Sequence, residues 1–175
     1  MAEEAQVGGA PAVGARFSRW GLWAYGVAAA VVLLDQLSKG WVVGLIDRHH
    51  GPIEVLPIFH LTLVENSGIS FGLFHADAAF GRWVLVAVAL AIVVALALWV
   101  RRMTRPITAL ALGFVMGGAI GNNLIDRVRF GAVVDFMDFH PIFPWVFNVA
   151  DMAINVGVAL LLLDSFLLPK RDGAA

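Results

Sequence analysis

The sequence predicts an all-α membrane protein: four transmembrane helices, with a small extramembrane β-sheet and an interfacial segment on one side of the bilayer. Three observations carry this prediction. Hydrophobic residues make up 60% of the 175 and charged residues only 14%, with a mean hydropathy of +0.83, outside the balance of a soluble domain. Four stretches reach the roughly 20 apolar residues a helix needs to cross hydrocarbon, where the backbone must satisfy its own hydrogen bonds. Between them lie two segments of different pattern, one alternating and one rich in proline and aromatics.

Taken in chain order, residues 1–19 are small, polar and rich in Gly and Ala, and are expected to form a flexible cytoplasmic tail. Arg16 and Arg19 then precede an apolar stretch with no convincing cleavage site, which reads as a retained signal-anchor helix. The first span covers about Trp20 to Ile46. In the loop that follows, Phe59, Leu61 and Leu63 alternate with His60 and Thr62 before Asn66-Ser67-Gly68, the pattern of a strand and a turn. The second span, Trp83 to Val100, is an unbroken apolar run with tryptophans near both ends, where amphipathic rings favour the interface.

The third span extends from Ile107 to about Ile125. Gly113, Gly117 and Gly121 recur every four residues on it, a ridge that admits a close neighbouring helix. The loop from Val128 to Phe147 carries Phe139, His140, Pro141, Phe143, Pro144 and Trp145, the composition of a stiff interfacial segment. The fourth span covers about Val149 to Leu168. The membrane domain is therefore expected over 20–168 and a second cytoplasmic tail over 169–175.

Seven of the twelve Lys/Arg (Arg16, Arg19, Arg101, Arg102, Arg105, Lys170 and Arg171) fall on one side of these spans. Cationic segments stay in the cytoplasm, so both termini are expected there and the two long loops on the opposite side. A net charge of −1 leaves no basic surplus for nucleic acid. The absence of cysteine excludes a disulfide, a thiolate nucleophile and a thiolate-held metal.

Polar residues within apolar spans need a reason, since each costs a few kcal/mol on insertion scales. Asp35 and Lys39 are four apart on one helix face, which suits a structural ion pair as well as a functional one. Asp126-Arg127 ends the third span, where the two can satisfy each other or anchor the helix end. More pointed are Asp135, in Val133-Val134-Asp135-Phe136, and Asp151, in Phe147-Asn148-Val149-Ala150-Asp151, which fall on the same side of the membrane. Alone, Asp135 reads as a loop acid and Asp151 as a helix cap. Together, two converging carboxylates can share a proton, one serving as base and the other as acid toward water and a peptide carbonyl.

Other chemistry is less well supported. His49, His50, His60, His75 and His140 lack metal-ligand spacing, so no metal and no cofactor are expected. Asp164 lies 13 residues beyond Asp151, about 20 Å along a helix, at the other end of the span. Ser67 and Ser70 have no evident base, and Ser38 and Lys39 are adjacent, a spacing that does not aim them together. The alternative to an enzyme is a small ion- or proton-coupled transporter, which would need polar groups through the full depth of the membrane.

In order, Asp35-Gln36-Leu37-Ser38-Lys39, Asn66 to Gly72, Gly118 to Arg127, Val133 to Phe136 and Phe147 to Asp151 resemble the motif series of bacterial lipoprotein signal peptidase, signal peptidase II, over about residues 20 to 168. The resemblance implies a four-helix inner-membrane aspartyl endopeptidase that removes signal peptides from diacylglyceryl-modified prolipoproteins, cutting before the lipidated cysteine. It implies a monomer among membrane lipids, with the active site toward the periplasm. Asp135 and Asp151 match the family's catalytic aspartates, and Asp35, Lys39, Asn66, Asp126, Arg127 and Asn148 its supporting residues. It further implies an extramembrane sheet over Ile53 to Phe74 and a mobile periplasmic segment in the aromatic loop. The chain departs from the pattern at one point. It carries Asn122-Asn123 where the family has one asparagine, a residue more between the glycines and Asp126. Distance from Asp126 favours Asn123 for that position, with Asn122 as the alternative.

Overall fold

The computed structural model describes residues 17–68 and 78–167. The expectations for the tails beyond these limits, for Ser70 to Gly72 and for His75 lie outside the described residues. Ser18 opens the first helix: its hydroxyl accepts from the Gly21 amide, and α1 then runs Arg19–His49. The helix passes the expected end at Ile46 because Asp47, Arg48 and His49 are polar without opposing a helix, and it stops at His50, whose φ of 61° is left-handed. At about 1.5 Å per residue the helix outreaches a hydrocarbon layer of about 30 Å, so its end stands clear of the apolar layer.

Strands β1 (Ile53–Leu56) and β2 (Phe59–Asn66) follow, then helix α2 (Ala78–Val100). Pro106, whose missing amide hydrogen costs nothing in a first turn, begins α3 (Pro106–Ala119). The third span continues without a break through a π-helical turn, Ile120–Asp126, into α4 (Arg127–Arg129). Strands β3 (Val133–Asp138) and β4 (Val146–Phe147) lead into α5 (Val149–Phe166). Among the described residues four helical segments are thus long and apolar enough to cross a membrane, Arg19–His49, Ala79–Val100, Pro106–Arg129 and Val149–Phe166.

The glycine ridge explains how the bundle closes. A Cβ on Gly113 would lie 2.6 Å from the Ala24 carbonyl oxygen, one on Gly117 2.7 Å from the Val31 side chain, and one on Gly121 2.7 Å from the Asp35 carboxylate. The ridge is therefore the face that takes α1. Gly118, a quarter-turn round, meets Ala150 and Ile154 of α5 in the same way, which leaves α3 packed between α1 and α5. Ala24, Ala28, Val100, Ala109, Leu112 and Met116 fill the core on the far side from the sheet. Leu22, Trp23, Leu33, Leu34, Leu37 and Trp41 of α1 remain exposed, an apolar surface that suits lipid and would be a liability in water.

Two contacts fix which ends lie together. The Ser18 amide donates to the Arg101 carbonyl at 2.8 Å, and Arg105 pairs with Asp164 at 2.7 Å while Thr108 also donates to Asp164. Arg19, the arginines between α2 and α3, and the end of α5 thus share one end of the bundle. Asp164 is a buried partner at that end and takes no part in the polar cluster at the other.

The sheet caps the opposite end, antiparallel in the order β1-β2-β3-β4. The alternation at Phe59 to Leu63 does form a strand, but the sheet also recruits Val133–Asp138 from the second loop, where the sequence reading placed Asp135 in a loop. Pairing Leu61 with Met137 and Val64 with Asp135 puts one more residue on β2 than on β3, a bulge beside Asp135. The run Val133 to Phe136 is buried throughout, so it shows no period of two to reveal a strand. Val42 and Ile46 of α1 pack on Leu61 and Phe136, which seats the sheet on the end of the bundle.

Candidate active site

Asp135 is buried on β3, 2% exposed. Val64 faces it across the ladder, and Asn66, two residues along on the same face, reaches diagonally to donate from Nδ2 to its Oδ2 at 3.2 Å. Asp151 sits in the first turn of α5, half-buried. Asn148 caps that helix: its Oδ1 accepts from the Asp151 amide at 2.9 Å, and its own amide donates to Asp151 Oδ2 at 3.2 Å, a reciprocal capping box. The remaining group of Asn148, its Nδ2, donates to Asp135 Oδ1 at 2.5 Å. One fully buried asparagine therefore joins the two carboxylates that the sequence leaves 16 residues apart.

Burial, and after it the neighbouring Asp151 carboxylate, push the Asp135 carboxyl up to about 6. The amide donors of Asn66 and Asn148 pull the other way and are outweighed. A pair in this environment holds a proton that an isolated exposed carboxylate would have released.

Beneath the pair lies a buried ionic cluster. Lys39 uses all three of its N–H donors, on Asp35 Oδ2 at 2.8 Å, Asp126 Oδ2 at 2.7 Å and Asn122 Oδ1 at 2.7 Å. Asp35, expected as an i, i+4 partner of Lys39, also accepts from the Ala150 amide through Oδ1 at 3.0 Å. Asp126, expected to pair with Arg127 or anchor the helix end, instead accepts from Lys39 and from the Val134 amide at 3.1 Å. Arg127 turns to the loop end, donating to the Ser67 carbonyl at 2.9 Å and to Asn123 Oδ1 at 3.2 Å.

The two asparagines divide. Asn122 donates to Asp151 Oδ1 at 2.7 Å while accepting from Lys39, whereas Asn123, favoured on distance from Asp126, faces Arg127 and does not reach the carboxylate pair. The π-helical turn accounts for this. A π turn stores one residue more than an α turn, so the additional asparagine widens the helix locally and leaves Asn122 and Asp126 both directed at the site. Counting back from Asp126 with α-helical spacing cannot foresee that shift. Gln36, passed over in the sequence reading, also belongs here: its Nε2 donates to Asp126 Oδ1 at 2.8 Å and to Asp35 Oδ2 at 3.1 Å. An amide in an apolar span, beside an acid, was the available signal.

Residues 27–167 match the family of signal peptidase (SPase) II. This chain belongs to that family. It is 54% identical over 152 residues to the lipoprotein signal peptidase of Caulobacter vibrioides, covering 86% of this chain and 90% of that one. It is 48% identical to the lipoprotein signal peptidase of Beijerinckia indica, over 81% of this chain and 86% of the relative. Its fold is similar to a bacterial membrane enzyme solved by the in meso method at 1.9 Å, with a TM-score of 0.71 and 25% identity over 90% of this chain and 99% of that one. The signal peptidase II family and the four apolar helices make it a multi-pass bacterial membrane protease. Nothing supports the transporter alternative: the buried pairs of Lys39 with Asp35 and Asp126 lie at the sheet end, and the Arg105–Asp164 pair lies apart from them at the other.

Proposed function

We propose that this signal peptidase II is an aspartyl endopeptidase that removes signal peptides from diacylglyceryl-modified prolipoproteins, cutting before the lipidated cysteine, with Asp135 and Asp151 as its catalytic pair. The observation that carries this reading is Asn148, buried and bonded to both carboxylates at the sheet end of α5. In the proposed reaction the ionised member of the pair takes a proton from water as its oxygen adds to the scissile carbonyl, and the protonated member hydrogen-bonds the developing oxyanion. Collapse of the tetrahedral adduct expels the amine, which receives a proton from the pair, so one water is consumed and no covalent enzyme intermediate forms. Asp35, Lys39, Asn66, Asn122, Asn123, Asp126, Arg127 and Asn148 hold the two acids and the adjoining loop in place.

The protein is proposed to reside in the inner membrane as a monomer among lipids, with both termini cytoplasmic and the sheet end periplasmic. The clustering of Arg19, Arg101, Arg102 and Arg105 at one end of the bundle supports this orientation. Because the chain has no cysteine, an impermeant thiol reagent should label His49→Cys in intact cells and Thr104→Cys only once the cytoplasmic membrane is opened. Labelling of both from the same face would overturn the topology, and the opposite pattern would reverse the orientation.

A substrate anchored in the same leaflet would present its scissile bond at the depth of the pair. Each buried CH₂ contributes about 0.8 kcal/mol, so two acyl chains supply remote binding energy that can orient the peptide. A prolipoprotein signal peptide with diacylglyceryl on its cysteine is expected to be cut at least 100-fold faster than the unmodified peptide in the same micelles. Equal rates for the two would remove lipid recognition from the proposal and leave a general membrane protease.

A further inference from the structure

We propose that Gln36 is a positioning residue for the reaction, its amide binding together two buried carboxylates that each hold the peptide N–H immediately before one member of the Asp135–Asp151 pair. The inference rests on the reading of that pair as catalytic. The two grips are matched. Asp35 holds the amide of Ala150, one residue before Asp151, and Asp126 holds the amide of Val134, one residue before Asp135. The separation of Asp135 from Asp151 thus depends on the separation of Asp35 from Asp126, which sit on different spans.

Two groups join those carboxylates: the Lys39 ammonium on their Oδ2 atoms and the Gln36 amide, on Asp35 Oδ2 and Asp126 Oδ1. The ammonium is a point charge whose three donors rotate about a long stem, so it neutralises without setting direction. The planar amide has its two hydrogens at a fixed angle and therefore sets the orientation of Asp126 relative to α1. Its Oε1 is turned outward by Arg129, whose Nη1 donates to it at 3.2 Å. That bond fixes which end of the amide faces the acids. A glutamine serving only its own solvation on a helix surface would not bridge acids from two spans while its oxygen is held by α4.

The groups facing Gln36 are Asp35 and Lys39 of α1, Asp126 of the π turn and Arg129 of α4, and they set the expected response to substitution. Gln36→Met keeps the volume and loses the donors. Turnover of the lipidated peptide should fall about tenfold with KM within twofold, since Gln36 bonds the acids that hold the pair and neither member of it, and errors of about 1 Å in placing reacting groups have large effects on rate. Gln36→Glu puts a carboxyl against two carboxylates. At pH 5 a protonated carboxyl still donates to one of them, so kcat should be within threefold of wild type there and about 30-fold below wild type at pH 8, moving the alkaline limb of the profile to lower pH.

The experiment measures kcat, KM and thermal unfolding of both variants from pH 5 to 8 in the same micelles, beside Asp135→Asn and Asp151→Asn. Should Gln36→Met fold poorly, the pH profile of Gln36→Glu decides. Wild-type kcat and an unmoved profile in the Gln36 variants, with the aspartate variants inactive, would overturn the positioning role and leave the catalytic pair standing. Activity lost only in proportion to folded protein would equally overturn it. Active aspartate variants would instead refute the pair itself.

Discussion

Lys39→Met should unfold at a markedly lower temperature than the wild-type protein in the same detergent, a loss of roughly 3–5 kcal/mol, because removing one partner of a buried ion pair leaves the other charge uncompensated. Here two carboxylates are stranded, Asp35 and Asp126, both fully buried. Water cannot reach them without opening the contact between α1 and α3, where Gly121 already lies against Asp35. Lys39→Arg keeps the charge, but a planar fork cannot repeat three bonds converging on one nitrogen, so its loss should be smaller. Thermal unfolding of the two variants followed by circular dichroism makes the comparison. A Lys39→Met protein as stable as wild type would mean that the Lys39 bonds to Asp35 and Asp126 do not hold the fold together.

Much of the fold was legible because membrane solvent imposes it. The apolar lengths located four spans, and the spacing of Gly113, Gly117 and Gly121 marked the face of α3 that α1 covers. Local pattern also exposed β2. It could not expose β3, since Val133 to Phe136 is buried on both faces and its pairing partner lies some 70 residues earlier, a non-local contact without a local signature.

The site divided along the same line. That Asp35 and Lys39 would pair followed from helix geometry, whereas the cap read at Asp151 is shared: Asn148 is the cap residue and Asp151 completes the capping box three residues on. What the sequence withheld was convergence. Asn148 meeting Asp135, Asp126 turning from Arg127 to Lys39, and Gln36 between two acids each require the spans to be placed relative to one another. The exchange of Asn123 for Asn122 has a different origin: α-helical spacing was assumed where the backbone forms a π turn.

The second large effect concerns the acids themselves. Asp135→Asn and Asp151→Asn are each expected to lower cleavage by at least 10³-fold, and the double variant to be little worse than either, because groups that act as a unit lose their function together. Neither change should cost the fold more than about 1–2 kcal/mol, the scale of one altered buried hydrogen bond. For Asp135 the pH dependence has a definite sign. Its carboxyl is raised from an ordinary value of 3.8 to about 6, so the protonated form favours the fold; that contribution is fully present below about pH 3.8 and is lost as pH rises through about 6. Asp135→Asn lacks this loss, and its unfolding temperature should gain on wild type between pH 4 and pH 7. In catalysis the same proton gives kcat/KM of the wild-type enzyme an alkaline limb with an apparent pKa near 6.

The most direct measurement is single-turnover cleavage of a diacylglyceryl-modified prolipoprotein peptide by purified wild type, Asp135→Asn and Asp151→Asn, in identical micelles and with folded protein quantified by thermal unfolding. The catalytic pair predicts prompt release of the signal peptide by wild type and at least a 10³-fold slower reaction in each folded variant. Cleavage within tenfold of wild type by either one would contradict it.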